Sequence, residues 1–161
     1  PQPIITQALL LAADIPVFAG VGGGLTKGQR VVNLAMFAEM QGATGVVLNA
    51  PTANAVVQHV AETIDIPVVV TVARADTDFE ARLQAGANIF NVSAAAETPA
   101  IVRSIRERYP DVPIIATGGP TDESILETIQ AGANAITWTP PSNGEIFRDI
   151  MAAYRDNKPH P

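Results

Sequence analysis

The stretch V-P-I-I-A-T-G-G-P-T-D-E-S-I-L-E-T-I-Q-A-G-A-N, from Val112 to Asn134, decides the predicted architecture. It begins with an unbroken apolar run, Val112 to Ala116, which is typical of a strand that is buried on both faces of a parallel sheet. A Gly-Gly turn follows, and the apolar spacing predicts a helix from Asp122 to Gln130. The pair Gly132-Ala133 ends that helix. The stretch is therefore predicted to form a strand, a tight turn and a helix.

The same pattern recurs along the chain, and such repeats are a strong indication of architecture. Odd-numbered predicted strands start with a proline between branched apolar residues; these are Pro16, Pro67 and Pro113, 51 and 46 residues apart. Even-numbered predicted strands follow a Gly-Ala pair; the glycines are Gly42, Gly86 and Gly132, 44 and 46 residues apart. The spacing predicts three copies of a βαβα unit, and hence six βα units.

The predicted elements alternate regularly. The strands are predicted at Ile15–Ala19, Gly45–Leu48, Ile66–Val72, Asn88–Val92, Val112–Ala116 and Ala135–Thr139. The helices are predicted at Ile4–Ala13, Val31–Gln41, from a Thr52 cap to Thr63, Asp78–Gln84 with Asp76 or Thr77 as cap, Thr98–Arg108, Asp122–Gln130 and Glu145–Arg155. Right-handed crossovers would put all the helices on one side of a parallel sheet, which would curl into a barrel or part of one.

Composition restricts the function classes. Residues 1–161 suit a single domain by length, with residues 156–161 as a disordered tail. The net charge of -6 argues against a nucleic-acid partner, because backbone phosphates attract basic surfaces. There is no cysteine, and no apolar run reaches the roughly 18 residues of a membrane span. We therefore expect a cytoplasmic protein with no membrane partner.

Residues Val112 to Thr139 resemble the last two βα units of phosphate-binding (β/α)8 barrels, the ribulose-phosphate-binding-barrel-like superfamily. There the seventh strand has the pattern I-P-V-I-A-x-G-G and the eighth follows Gly-Ala-Asp; here the corresponding segments are V-P-I-I-A-T-G-G and A-G-A-N-A-I-T-W-T. The wider group includes sugar-phosphate epimerases, pyruvate-type aldolases, indole-glycerol-phosphate enzymes and glycerol-uptake antiterminator proteins. The resemblance implies an α/β, TIM-barrel-like fold.

The six predicted βα units differ from the eight of that superfamily, so we expect an incomplete barrel made of three βαβα repeats. Such a barrel has two open strand edges, and open edges promote association with other chains. The two remedies are an N-terminal helix that fills the gap and association with another subunit, and we expect a homo-oligomer.

In (β/α) barrels the active site lies at the C-terminal ends of the strands. The resemblance implies a phosphate site in the loops after strands five and six; its candidate residues are Thr117, Gly118, Gly119, Ser142, Asn143 and Gly144. Bare glycine amides and the start of a helix both attract anions. The alternative is that the Gly-Gly pair is only a tight turn. The superfamily has Gly-Ser after its last strand, whereas this chain has Pro140 and Pro141.

The other strand ends supply further polar candidates. Candidate catalytic residues are Arg74, Asn49, Asn91 and Lys27, and candidate binding residues are Thr71 and Ser93. Arg74 would contact a carboxylate or phosphate, or else pair with Asp76 or Asp78. The Gly20–Gly28 loop fits neither common nucleotide motif. Its Lys27 would meet an anionic substrate, or else be solvated.

We predict an enzyme that acts on a small phosphorylated or carboxylated metabolite, with isomerase, lyase and hydrolase chemistry all open. No predicted strand carries a lysine, which disfavours a Schiff-base aldolase. No residues have metal-ligand spacing, so neither a metal nor a cofactor is predicted. The alternatives are a non-catalytic small-molecule sensor similar to the glycerol-uptake antiterminator proteins, or an oligomeric scaffold. Trp138 is expected to pack beneath helices while its neighbouring threonines line the barrel.

Overall fold

A computed structural model describes residues 2–138 and 142–156 of the chain. Its six strands form one parallel sheet in the order β1-β2-β3-β4-β5-β6. They are β1 Phe18–Gly22, β2 Gly45–Leu48, β3 Val68–Val72, β4 Ile89–Val92, β5 Ile114–Thr117 and β6 Ala135–Thr137. Spatial order therefore follows chain order, which confirms the predicted six-unit, curled half-barrel.

Helices alternate with the strands. They are α1 Pro3–Ala12, α2 Gln29–Met40, α3 Asn54–Ala61, α4 Phe79–Gln84, α5 Thr98–Arg108, α6 Asp122–Gln130 and α7 Asn143–Arg155, with a 3-10 turn at Ala95–Glu97. Alternate residues of the strands, among them Val46, Leu48 and Phe90, form one core with the buried faces of α2, α3 and α5. The helices thus cover one face of the sheet. In the described part of the chain, no helix is long and apolar enough to cross a membrane.

A paired hydrogen bond at the start of each strand pair recurs at the same position in all three copies of the sequence repeat. The residue before each even strand donates its backbone N–H to a carbonyl near the start of the preceding odd strand, at 2.8–2.9 Å. The same residue's side-chain oxygen accepts the backbone N–H of that partner, at 2.8–3.2 Å. The three pairs are Thr44 with Val17, Asn88 with Val68, and Asn134 with Ile114. We call these three pairs the strand clasps.

Several predicted boundaries are shifted. The prolines of the repeat precede the odd strands instead of starting within them, since proline has no N–H to give to a ladder. Strand β1 consequently begins at Phe18 and continues to Gly22, three residues into the predicted loop. The predicted end of β6 at Thr139 and the tail beyond Asp156 lie outside the described residues.

Two predicted helix caps were wrong. Ala53, not Thr52, is the N-cap of α3, because the Thr52 hydroxyl donates to the Asn49 carbonyl at 2.7 Å. Asp78, not Asp76 or Thr77, caps α4 by accepting the N–H of Ala81 at 3.0 Å. The expected packing of Trp138 beneath helices was also wrong, since its side chain is 66% exposed.

Helix α1 lies beside the open edge at β1. Pro3 and Thr6 of α1 line a small cavity with Gly20 of β1 and Phe37 of α2, and Gln41 donates to the Pro3 carbonyl at 3.2 Å. No residue of α1 is fully buried; of its large apolar side chains, Leu10 is partly buried against the core and the others are exposed. The helix therefore contacts the edge region, as one of the two expected remedies requires, but only Leu10 is partly buried there.

Candidate functional site

The face of the sheet that the helices leave uncovered forms the concave face of the half-barrel. Strand alternation and register place these side chains on it: Phe18, Val47, Val69, Thr71, Ile89, Asn91, Ile115, Thr117, Ala135 and Thr137. Val69 is fully buried and yet absent from the helix-side core, which confirms that it belongs to the opposite face. None of these side chains can carry a charge.

Polar side chains of the concave face are gathered toward the C-terminal ends of the strands. Asn91 Nδ2 donates to Thr71 Oγ1 at 3.3 Å, between register partners of β3 and β4. The hydroxyl of Thr137 lies 3.3 Å from that of Thr117, its register partner on β5. Asn91 Oδ1 is buried and has no hydrogen-bond partner. The structure thus brings together three of the predicted site residues, Thr71, Asn91 and Thr117.

A separate cavity of about 330 Å³ lies between the β1–α2 and β2–α3 loops. Gly24, Lys27 and Gly28 line it from the first loop, and Thr52 and Ala53 from the second. The helices that follow these loops, α2 and α3, have no side-chain cap and no acidic residue in their first turns. We call this space the Lys27 cavity. The ammonium group of Lys27 and the two helix starts, which have no acidic side chain nearby in their first turns, both favour the binding of an anion.

Close contact between the two loops shapes this cavity. Gly23 has φ +96°, and a Cβ on it would lie 1.7 Å from Thr52 Oγ1, so only glycine fits there. The predicted residue Asn49 lies at the same junction, where its N–H donates to the Gly22 carbonyl at 2.9 Å. A Cβ added to Gly24 would lie 3.2 Å from the Asn49 side-chain nitrogen. Lys27 and Asn49 therefore lie on neighbouring loops.

Arg82 braces the β2–α3 loop, and sequence analysis did not identify it. Its guanidinium donates to the Thr52 carbonyl, to Asn54 Oδ1 at 2.7 Å and to the Ala50 carbonyl at 3.0 Å. Partial burial lowers the pKa of Arg82. Nothing in the sequence distinguishes this arginine of α4, since its role depends on a loop about 30 residues earlier.

Arg74 forms the ion pair that was one of its two predicted alternatives. Its Nε and Nη2 donate to the two carboxylate oxygens of Asp76 at 2.9 and 2.8 Å, and both side chains are largely exposed. The hydrogen bond with Asp76 raises the pKa of Arg74, and it lowers the pKa of Asp76. Ser93 is exposed directly after β4. Arg74 and Ser93 therefore both lie just beyond the C-terminal ends of their strands, β3 and β4.

The Gly118-Gly119 turn has packing reasons for both of its glycines. A Cβ on Gly118 would lie 2.7 Å from Ile125 and 2.8 Å from Ile136, and Gly119 has φ +83°. A cavity of about 360 Å³ adjoins the turn, but Glu127 lines it. Helix α6 begins with two acidic residues, Asp122 and Glu123, behind a Thr121 cap. These carboxylates already compensate the helix start, which disfavours a second anion there.

The start of α7 is likewise occupied by the chain itself. The backbone N–H and the hydroxyl of Ser142 each donate to Glu145 Oε2 at 2.7 Å, and Ser142 Oγ accepts the N–H of Glu145 at 3.3 Å. The hydrogen bond from the Ser142 side chain lowers the pKa of Glu145. Asn143 and Gly144 form the first turn. Two donors that were expected to hold phosphate, the N–H and the hydroxyl of Ser142, therefore hold a carboxylate of the same chain.

Comparison with solved structures shows TIM-barrel-type enzymes among the similar chains. A phosphonomutase candidate from Burkholderia cenocepacia J2315 has a TM-score of 0.73 and 16% identity, over 96% of this chain and 74% of that one. A phosphonopyruvate hydrolase in complex with oxalate and Mg++ has a TM-score of 0.72 and 14% identity, over 97% and 66%. An N-acetylneuraminate lyase from Mycoplasma synoviae has a TM-score of 0.70 and 16% identity, over 96% and 56%.

No protein-family model and no curated protein sequence matches the chain. Identities this low show the fold alone, and the chain spans about two thirds of the length of phosphonopyruvate hydrolase. Its similarity to the ribulose-phosphate-binding superfamily in particular stays a prediction. The chain forms six parallel βα units of a TIM-barrel-type fold.

Proposed function

We propose that the chain is a TIM-barrel-like enzyme acting on a small carboxylated or phosphorylated metabolite at the C-terminal edge of its sheet. Active sites of this fold lie at that edge. The polar part of the concave face and the Lys27 cavity both lie there. The similar structures, which include phosphonopyruvate hydrolase in complex with oxalate, support this substrate class.

The anionic group of the substrate binds in the Lys27 cavity. The carrying observation is the contrast among the loops: α6 and α7 begin with acidic side chains, whereas α2 and α3 do not. An anion near Lys27 would lie close to its ammonium group and to the backbone N–H groups at the starts of α2 and α3. No carboxylate in those first turns would repel it. The Lys27 cavity is therefore favoured as the anion site over the loops at Gly118-Gly119 and Ser142.

The residues at this edge do not fit the Mg++ of the hydrolase complex. Mg²⁺ prefers carboxylate ligands. Among the described residues, no group of three or more His, Cys, Asp or Glu could hold a metal ion. Asp76, the carboxylate closest along the chain to the end of β3, is paired with Arg74. Lysine is also missing from the described strands, so a Schiff base is disfavoured. The reaction type stays open.

A second candidate is a non-catalytic sensor of the same ligand class, similar to the glycerol-uptake antiterminator proteins. One observation favours it: the concave-face side chains are neutral, and Arg74 is engaged by Asp76. A general acid or base would thus have to come from a loop. Binding without turnover would support this candidate.

We also propose that the protein self-associates. Strands β1 and β6 are open edges in the described sheet, and α1 presents Ile4, Leu9 and Leu11 to solvent. Both features favour contact with another chain. Light scattering after size exclusion would give the oligomeric state, and a monomer at all concentrations would contradict the proposal.

Calorimetric titration of oxalate, phosphonopyruvate and inorganic phosphate tests the function. We expect at least one anion to bind, and Lys27→Gln to weaken that binding about tenfold, because a charge-assisted contact contributes roughly 1.5 kcal/mol or more. Arg103→Gln removes the same charge from an exposed position on α5 and serves as the control. If none of the three anions binds, or if Lys27→Gln and Arg103→Gln weaken binding equally, the proposed site is refuted. Phosphorus and proton NMR of the bound ligand would then separate turnover from binding alone.

A further inference from the structure

One side of the Lys27 cavity is formed by apolar side chains. Pro51 and Ala53 of the β2–α3 loop line it together with Val56 of α3. Pro51 and Ala53 are exposed and Val56 is partly exposed, so all three side chains are accessible to a ligand. Val56 also packs against the core, which holds it in place. This side of the cavity offers a ligand apolar contact but no side-chain hydrogen bond.

Lys27 supplies the only charge among the residues that line the cavity, all of which the structure describes. The only hydroxyl of the lining belongs to Thr52, and it donates its hydrogen to the Asn49 carbonyl at 2.7 Å. Arg82 braces the β2–α3 loop but is not part of the lining, and its guanidinium donates to oxygens of that loop. A second negative charge on a ligand would therefore lie against apolar side chains, which is unfavourable.

The volume of the cavity limits the size of the ligand. It measures about 330 Å³. A water molecule occupies about 30 Å³ of the liquid, so the cavity has room for roughly ten non-hydrogen atoms. A carboxylate uses a small part of this room, and the rest suits a tail of about five carbons. Oxalate and inorganic phosphate are both smaller than the space available.

We infer that the ligand of the Lys27 cavity is a monocarboxylate with a short apolar tail. The inference rests on the proposed function, which puts the anionic group near Lys27, and it narrows the substrate class. The carboxylate pairs with Lys27, and the tail lies against Pro51, Ala53 and Val56. Burial of the tail adds affinity in proportion to its apolar area. Dicarboxylates and phosphorylated ligands bind less tightly, because their further charge has no partner there.

Amide NMR titrations with acetate, butanoate and hexanoate test the inference, because these acids differ only in the length of the tail. In the wild-type protein each added methylene should tighten binding about twofold to fourfold, the upper value being that for full burial. The shifts that hexanoate causes beyond those of acetate should be largest at Ala53 and Val56. Lys27→Gln should weaken all three acids by a similar factor and keep the increase with length.

Val56→Thr replaces a methyl group by a hydroxyl at nearly the same shape, and should reduce the increase with tail length. Val112→Thr is the matched control and should keep it. Val112 is also a valine partly buried against the core, but it lies just before β5, at the opposite end of the sheet. Thermal melts of both variants check that they fold, and the shift map of the wild-type protein decides alone if Val56→Thr does not.

Equal affinities for the three acids in the wild-type protein would overturn the inference, while weaker binding of these acids to Lys27→Gln would leave the proposed function standing. An increase that persists unchanged in Val56→Thr, or extra hexanoate shifts that lie away from Ala53 and Val56, would place the tail elsewhere and also overturn it. If none of the three acids binds but oxalate or phosphate does, only the inference fails. If no anion binds, the proposed function fails with it.

Discussion

Removal of the strand clasps one at a time should destabilise the protein by unequal amounts. The perturbations are Thr44→Ala, Asn88→Ala and Asn134→Ala, each of which deletes the side-chain oxygen that accepts a backbone N–H. The three positions are equivalent in the repeat. The structure predicts a graded series, because the N–H groups left unpaired differ in burial.

Asn88→Ala sets the scale of the series. It leaves unpaired the N–H of Val68, whose residue is only 1% exposed, so we expect a loss of about 1–3 kcal/mol. For a chain of this size, that corresponds to a melting temperature lower by about 2–12 °C. Asn134→Ala should cost more, because Asn134 Oδ1 also accepts from Arg106 at 2.7 Å. Thr44→Ala should cost least, since Val17 is half-buried and the bond is 3.2 Å long.

Urea unfolding followed by circular dichroism would measure the three losses, with an unchanged m-value as the sign that only stability has changed. Asn33→Ala, at an exposed position of α2, is the control and should stay within about 0.5 kcal/mol of wild type. Equal losses in all three variants, or the largest loss in Thr44→Ala, would refute the burial argument.

Two further predictions follow from local geometry. Gly23→Ala should destabilise the protein far more than Gly28→Ala in the same urea assay. Both glycines have positive φ, which costs about 1–2 kcal/mol for alanine, but only at Gly23 would the added Cβ collide with Thr52, since nothing lies within 4 Å at Gly28. Similar losses in the two variants would contradict the close approach of the two loops. The pKa of Glu145 lies below its ordinary 4.5, so its capping contribution to α7 should be present above pH 4.5 and be lost as pH falls through the lower folded-state value. The protection factors of the α7 amides, which are exchange rates corrected for the intrinsic effect of pH, should fall there in wild type but not in Glu145→Gln, and identical profiles would contradict the capping role.

Much of the fold could be predicted, because the signals are local and repeated. The apolar runs and the Gly-Ala pairs located six strands, and the bounds of β2 and α6 agree with those predicted. The predicted starts of the odd strands were too early, because a proline beside an apolar run is equally compatible with a position just before a strand and with the first position of the strand. The strand clasps at Asn88 and Asn134 could not be predicted from the sequence, because each joins residues that are 20 positions apart along the chain.

The candidate site was predictable only in part. Thr71, Asn91 and Thr117 were predicted from their positions at the C-terminal ends of strands, because side-chain alternation and the order of the strands along the chain are enough to place them. The spacing S-N-G-E from Ser142 to Glu145 is a capping-box pattern, and could have shown from sequence that this helix start is occupied. The Lys27 cavity could not be predicted, because it depends on the approach of two loops that are far apart along the chain.

The central claim is that the anionic group of the ligand binds in the Lys27 cavity. Amide NMR shift mapping during titration with oxalate and with inorganic phosphate tests it most directly. The account predicts that the largest shifts occur at Gly24, Lys27 and Ala53, and that they are reduced in Lys27→Gln. Largest shifts at Gly118, Gly119 and Ser142 instead would contradict it.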